Sequence, residues 1–176
     1  MSKTLLVCMM FALSSVSVWA KEDCGPEAIG VTEEALAQKY FYTGTCHFRN
    51  NDYAEAAQSW TKLANLESVN ADDQSLQIDV LNNLGYLLFF GYGVEADQRE
   101  ALNYWHKAVG LGHDESEYHL CHAYGDADEA TFDKAKAQTH CDNAFSLYSN
   151  MTDMNDDHKT ILKQITFYRN QVNEPK

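Results

Sequence analysis

Proline and alternating hydrophobicity are both scarce in this sequence. The chain has two prolines in 176 residues, Pro26 and Pro175, and no stretch where apolar and polar residues alternate at every step. Without that period-two pattern no half-buried strand is expected, and nothing between the two prolines forbids helix. Long apolar runs are missing too: beyond Leu13 no segment approaches the ~20 residues of a membrane-spanning helix. Positive charge is thin, with 13 Lys and Arg against 26 Asp and Glu and a net charge of −13. Such acidity repels phosphate backbones and anionic lipid, so nucleic acid and membrane surfaces are not expected as partners.

Catalytic spacings are lacking as well. There is no C-x-x-C or H-E-x-x-H for a metal and no G-x-S-x-G for a serine nucleophile. His119, Cys121, His122, His140 and Cys141 are zinc-type ligands, but an oxidising compartment pairs the thiols. No metal or other cofactor is expected. The acidic runs "DADEATFD" and "TDMNDDH" read as solvated loops and helix caps, without the separate environments that split two carboxylate pKa values. No enzymatic activity is expected.

What is present begins with residues 1–20. Lys3 precedes an apolar core, Leu5 to Leu13, and Val18 and Ala20 are small residues at −3 and −1 before Lys21. This reads as a secretory signal peptide cleaved after Ala20, followed by a leader over 21–30, and implies a periplasmic or secreted protein. A lipoprotein signal is not expected, because Cys8 lies within the apolar core. Loss of Lys3 takes the net charge from −13 to −14. About 156 residues remain, enough for one domain with its own core. They carry Cys24, Cys46, Cys121 and Cys141, an even number that reads as two disulfides with three pairings open.

The chain also repeats. Leu84, Gly85, Ala101, Trp105 and Ala108 recur as Leu120, Cys121, Ala137, Cys141 and Ala144, each 36 residues on. Ala56 and Trp60 precede Ala101 and Trp105 by 45, whereas Gly44 precedes Gly85 by 41. The second copy therefore holds four extra residues between its helices, in "FGYGVEAD". Gly91 and Gly93 read as a helix cap and turn, with Val94 tucked back as an apolar contact. With no strand before it, Gly-Tyr-Gly does not read as a phosphate cradle. Leu81, Leu84, Leu87 and Leu88 share one face of a helix over about 73–90, and Ala101, Trp105 and Ala108 share one face of the next, which Gly110 and Gly112 stop. Gly44 is expected against Ala56, with the Trp filling the gap to the next hairpin. Ile161, Leu162, Ile165, Tyr168 and Val172 make residues 156–172 an amphipathic capping helix.

"NDYAEAAQSW" resembles a tetratricopeptide repeat, and "LGYLLFFGYGVEADQREALNYWHKAVGLGH" is similar to the Sel-one-like repeat. The resemblance covers about two thirds of the mature chain and degrades in the third copy, where Cys121 and Cys141 stand for the glycine and the aromatic. It implies an all-α fold, a right-handed solenoid of three helical hairpins (about 32–66, 73–112 and 115–149) plus the cap. Cys121 and Cys141 then lie on the two helices of one hairpin and Cys46 on the first helix, so Cys24–Cys46 and Cys121–Cys141 are the favoured bridges.

In function the resemblance implies a scaffold for another protein, its concave wall lined by the first helix of each hairpin. The family's inner-face spacing gives Phe41, Phe48 and Arg49, then Asp79, Asn82, Tyr86, Phe89 and Phe90, then Tyr118 and His122. Six of these ten are aromatic, the composition of interface hot spots. Two versions follow from the resemblance: an immunity protein against a secreted toxic effector, and an adaptor in an envelope machine. Its enzyme-class alternative is a β-lactam-binding or weakly hydrolysing protein, as among cysteine-rich members.

Overall fold

The computed structural model describes residues 21–32, 34–67 and 69–173. The expected signal peptide and its cleavage site lie outside them. Among the described residues there are eight helices and no strand: α1 Pro26–Ile29, α2 Leu36–Arg49, α3 Tyr53–Ala64, α4 Gln74–Phe90, α5 Gln98–Gly110, α6 Glu115–Gly125, α7 Lys134–Ser149 and α8 Asp156–Asn173. The fold is all-α, as the missing alternation requires. None of these helices is long and apolar enough to cross a membrane.

Local chemistry sets the helix ends. The Asp97 side chain accepts a hydrogen bond from the Glu100 N–H at 2.9 Å, and that of Asp133 accepts from Ala135 and Lys136 at 3.1 Å each. Both satisfy amide groups that the first helical turn leaves unpaired. Gly91 ends α4 at φ 71°, in the left-handed region, its N–H bonded to the Leu87 carbonyl. Gly93, at φ 68°, is needed for space as well as conformation, since a Cβ there would collide with the Ala54 backbone. The four extra residues thus fold back onto the start of α3. Val94 packs on the first core cluster, and Tyr92 stacks on Tyr53 at 5.4 Å between ring centroids.

Consecutive helices pair off, α2 with α3, α4 with α5 and α6 with α7. α3 also packs on α4 and α5 on α6, while α4 touches both α2 and α6. Buried apolar residues form three clusters along the chain. Ala56, Trp60, Leu63, Val80 and Leu84 make the first, Phe89, Ala101, Trp105, Leu120 and Ala137 the second, and Cys121, Cys141, Ala144, Tyr148 and Ile165 the third. The amphipathic tail closes the last of these, with α8 against α6 and α7 and Ile165 fully buried.

The two tryptophan pairs share one local geometry. A Cβ on Gly44 would come within 2.5 Å of Trp60 Cδ1 and Nε1, and one on Gly85 within 2.5 Å of Trp105 Nε1. Trp60 donates its indole N–H to the Phe41 carbonyl at 3.3 Å and Trp105 to the Asn82 carbonyl at 3.1 Å. In each case the acceptor lies three residues before the glycine. Gly44 thus faces the second helix of its own pair, where its missing side chain makes room for the Trp60 indole. Trp105 also reaches the next pair, stacking on His119 at 4.9 Å and 10°.

Where the third pair has cysteines, a bond replaces that contact. Cys121 and Cys141 form a disulfide with Cα atoms 4.5 Å apart, and Cys24 and Cys46 form the other at 5.6 Å. Both favoured pairings are therefore present. The second ties the leader to α2, aided by Arg49–Glu22 at 2.7 Å, Lys21–Asp52 and the Asn50 amide donating to the Glu22 carbonyl at 2.8 Å.

Candidate functional site

The sequence-derived set of ten does not stay together. Phe41, Phe48 and Tyr86 converge with Trp60 around a groove of about 360 Å³ lined from α2, α3 and α4, with Thr45, Asn82 and Asn83 beside them and Glu115 and His119 contributed by α6. The rings sit at contact range, Phe48 to Trp60 at 5.6 Å, Phe48 to Tyr86 at 6.5 Å and Tyr86 to His119 at 6.0 Å. Helical spacing brings them together: Phe41 and Phe48 are two turns apart on α2, and Tyr86 follows Gly85 on the neighbouring first helix.

Asn82 borders this groove but its side chain is used internally. It is buried, and its Oδ1 accepts the Ser116 hydroxyl at 2.8 Å.

Of the other predicted residues, Phe90 still touches Tyr86 at 5.0 Å, and the rest make contacts outside the groove. Arg49 turns to Glu22 in the leader and lines a separate cleft there. Asp79 pairs with His113 at 3.6 Å, and burial raises its pKa. Phe89 is core, 3 % exposed and 5.2 Å from Trp105. Tyr118 donates its hydroxyl to Gln164 of α8 at 2.5 Å. Phe90 and His122 continue the aromatic run beyond the groove, since Tyr86 meets Phe90 at 5.0 Å and Tyr92 at 5.7 Å. Phe90 stacks on Tyr92 at 5.8 Å and on His122 at 6.0 Å, and His122 meets Tyr168 of α8 at 5.3 Å.

Trp60, Thr45, Asn83, Glu115 and His119 line the groove without having been singled out for it. Trp60 reads from sequence as packing, which it also is. Glu115 and His119, four apart at the start of α6, share a helix face and lie 3.6 Å apart. Which neighbour that face meets is set only when α6 packs on α4.

The zinc-type residues separate in the same way. Cys121 and Cys141 are bonded to each other, and His140 holds Glu117 through Nδ1 at 2.6 Å. Among the described residues no group of three could hold a metal. His122 is held below the usual histidine range by burial, against the opposing pull of Asp126 and Glu129. His106 is lowered likewise by burial, with His140 and Lys136 adding to it and Glu117 opposing.

These depressed values mean that the unfolded chain binds protons first as pH falls below about 6.5. Stability is then lost from that pH downward until the folded histidines themselves titrate. A lower Tm at pH 5.5 than at 7.5 is expected, with a smaller fall in His122→Gln; equal falls in both proteins would refute the assignment.

Compared with protein-family models, curated proteins and solved structures, the chain matches none.

Proposed function

We propose that this protein is an exported, non-catalytic repeat scaffold that holds another protein in the groove formed by Phe41, Phe48, Trp60 and Tyr86. The observation that carries the reading is this groove, where aromatic side chains from three helices meet at a surface depression. Aromatic residues around a desolvated pocket are the usual anchors of an interface. The shared Gly–Trp geometry of α2–α3 and α4–α5, with the bridge at the matching place in α6–α7, supports a right-handed solenoid of three Sel-one-like or tetratricopeptide-like hairpins capped by α8. The two disulfides fit an oxidising, periplasmic or extracellular compartment. The roles in keeping with this are immunity toward a secreted toxic effector and adaptation within an envelope machine.

Affinity capture from extract of the producing cells, with Phe41→Ala and Tyr86→Ala run in parallel, tests the reading. Loss of an anchor typically weakens binding by about 2 kcal/mol, roughly thirtyfold, so a partner held by the wild type is expected to be missing from both variants. Circular dichroism confirms that the variants are folded. If every captured protein is retained by both, the groove is not the docking site.

A further inference from the structure

Four rings line the groove, Phe41, Phe48, Trp60 and Tyr86, together with the Glu115 carboxylate; among the described residues no lysine or arginine lines it. The Glu115 side chain keeps 52 % of its surface exposed, so a ligand can reach it. His119 keeps its carboxyl below the usual range against the opposing effect of burial, so it is ionised at neutral pH. The whole chain adds a net charge of −13, which draws cations toward any open face.

Ring faces carry negative potential and attract cations that sit over them. An ammonium is compact and strongly hydrated, whereas a guanidinium is planar, weakly hydrated and stacks on aromatic faces while forking onto a carboxylate. Rings set at 68° between Phe48 and Tyr86 and 36° between Phe48 and Trp60, with a carboxylate in the same lining, suit a cation that both stacks and forks.

We infer that the groove takes up the guanidinium of an arginine side chain carried by the partner protein, stacked among the Phe48 and Tyr86 rings and paired with Glu115. The inference rests on the groove being the docking site. It adds the chemistry that selects the occupant: apolar partners lack the cation, and lysine gives up more hydration for fewer directed bonds.

The test titrates the isotopically labelled protein with N-acetyl-arginine amide, N-acetyl-lysine amide and N-acetyl-citrulline amide, following the Trp60 indole and Tyr86 ring resonances. Citrulline keeps the shape of arginine without its charge. Arginine amide is expected to shift these signals with a Kd about tenfold below that of citrulline amide, and Glu115→Gln to raise that Kd about fivefold. Tyr86→Leu, which keeps apolar bulk but removes the ring, is expected to weaken arginine in the same way.

Equal binding of citrulline, tighter binding of lysine, or arginine shifts scattered over the acidic surface and absent from the groove would overturn the inference. Capture separates this from the broader reading. If Tyr86→Ala loses the partner while Glu115→Gln keeps it at wild-type affinity, the groove stands and the arginine falls. If both variants keep it, both readings fall.

Discussion

Trp105→Ala is expected to destabilise the protein by about 4 kcal/mol, the upper part of the range for a large aromatic removed from a core. The indole is completely buried and lies between His119 at 4.9 Å and Phe89 at 5.2 Å. Its removal opens a cavity shared by α4, α5 and α6 and leaves the Asn82 carbonyl without its 3.1 Å donor. At roughly 2–4 °C per kcal/mol for a chain of this size, Tm should drop by about 10 °C.

A double-mutant cycle makes the claim specific to the glycine contact. Gly85→Ala alone gains about 1 kcal/mol of helix propensity but drives a Cβ to 2.5 Å from a buried ring that has nowhere to go. Overpacking of that kind costs about 1–3 kcal/mol, so the net destabilisation is at most about 2 kcal/mol. In the Trp105→Ala background the same methyl enters vacated space and should stabilise, giving a coupling of about 1–3 kcal/mol. Gly110→Ala is the control, a helical glycine with nothing within 4 Å of the added Cβ; it should gain a few tenths to 1 kcal/mol. Equal effects of Gly85→Ala in the two backgrounds would show that the indole does not rest on this glycine.

Replacing both Cys121 and Cys141 by alanine is the second large effect. The bridge closes a separation of 20 residues, worth about 3 kcal/mol in chain entropy, and both sulfurs are fully buried in the third cluster. The Cys24–Cys46 bridge closes a nearly equal separation of 22, so entropy alone gives it the same weight. Packing makes the outcomes differ. α1 buries no residue and the leader holds on through surface ion pairs, which contribute little. Cys24→Ala with Cys46→Ala should free residues 21–30 to protease and lower Tm modestly, whereas the buried pair should lower Tm for the whole fold. Half-buried Cys24 should also be reduced and alkylated before either core sulfur. Simultaneous alkylation of all four thiols, or an unchanged Tm without Cys121 and Cys141, would contradict this.

The sequence exposes its helical class because proline and alternation are nearly absent and apolar residues return at helical intervals. Leu81, Leu84 and Leu87 are buried as their spacing requires, and so are Ala101, Trp105 and Ala108. Both bridges follow once Cys121 and Cys141 are laid over Gly85 and Trp105. Phe89 and Phe90 show the limit of such reading. They are chain neighbours and both aromatic, yet one is 3 % and the other 40 % exposed, because the turn between them points one ring at Trp105 and the other toward Tyr92. Tyr118 and His122 fit an inner-face spacing, but α8 returns over α6 and meets them with Gln164 and Tyr168. Arg49 fits it too, and the leader takes it.

By itself the sequence determined what depends on neighbours along one helix, namely where helices run, which face turns inward and where Gly91 must end a turn, and the repeat offset added which cysteines could meet. Tertiary structure alone decided which exposed rings form one groove, since Glu115 and His119 reach Tyr86 through the packing of α6 on α4, and no periodicity within a helix encodes the angle at which two helices meet.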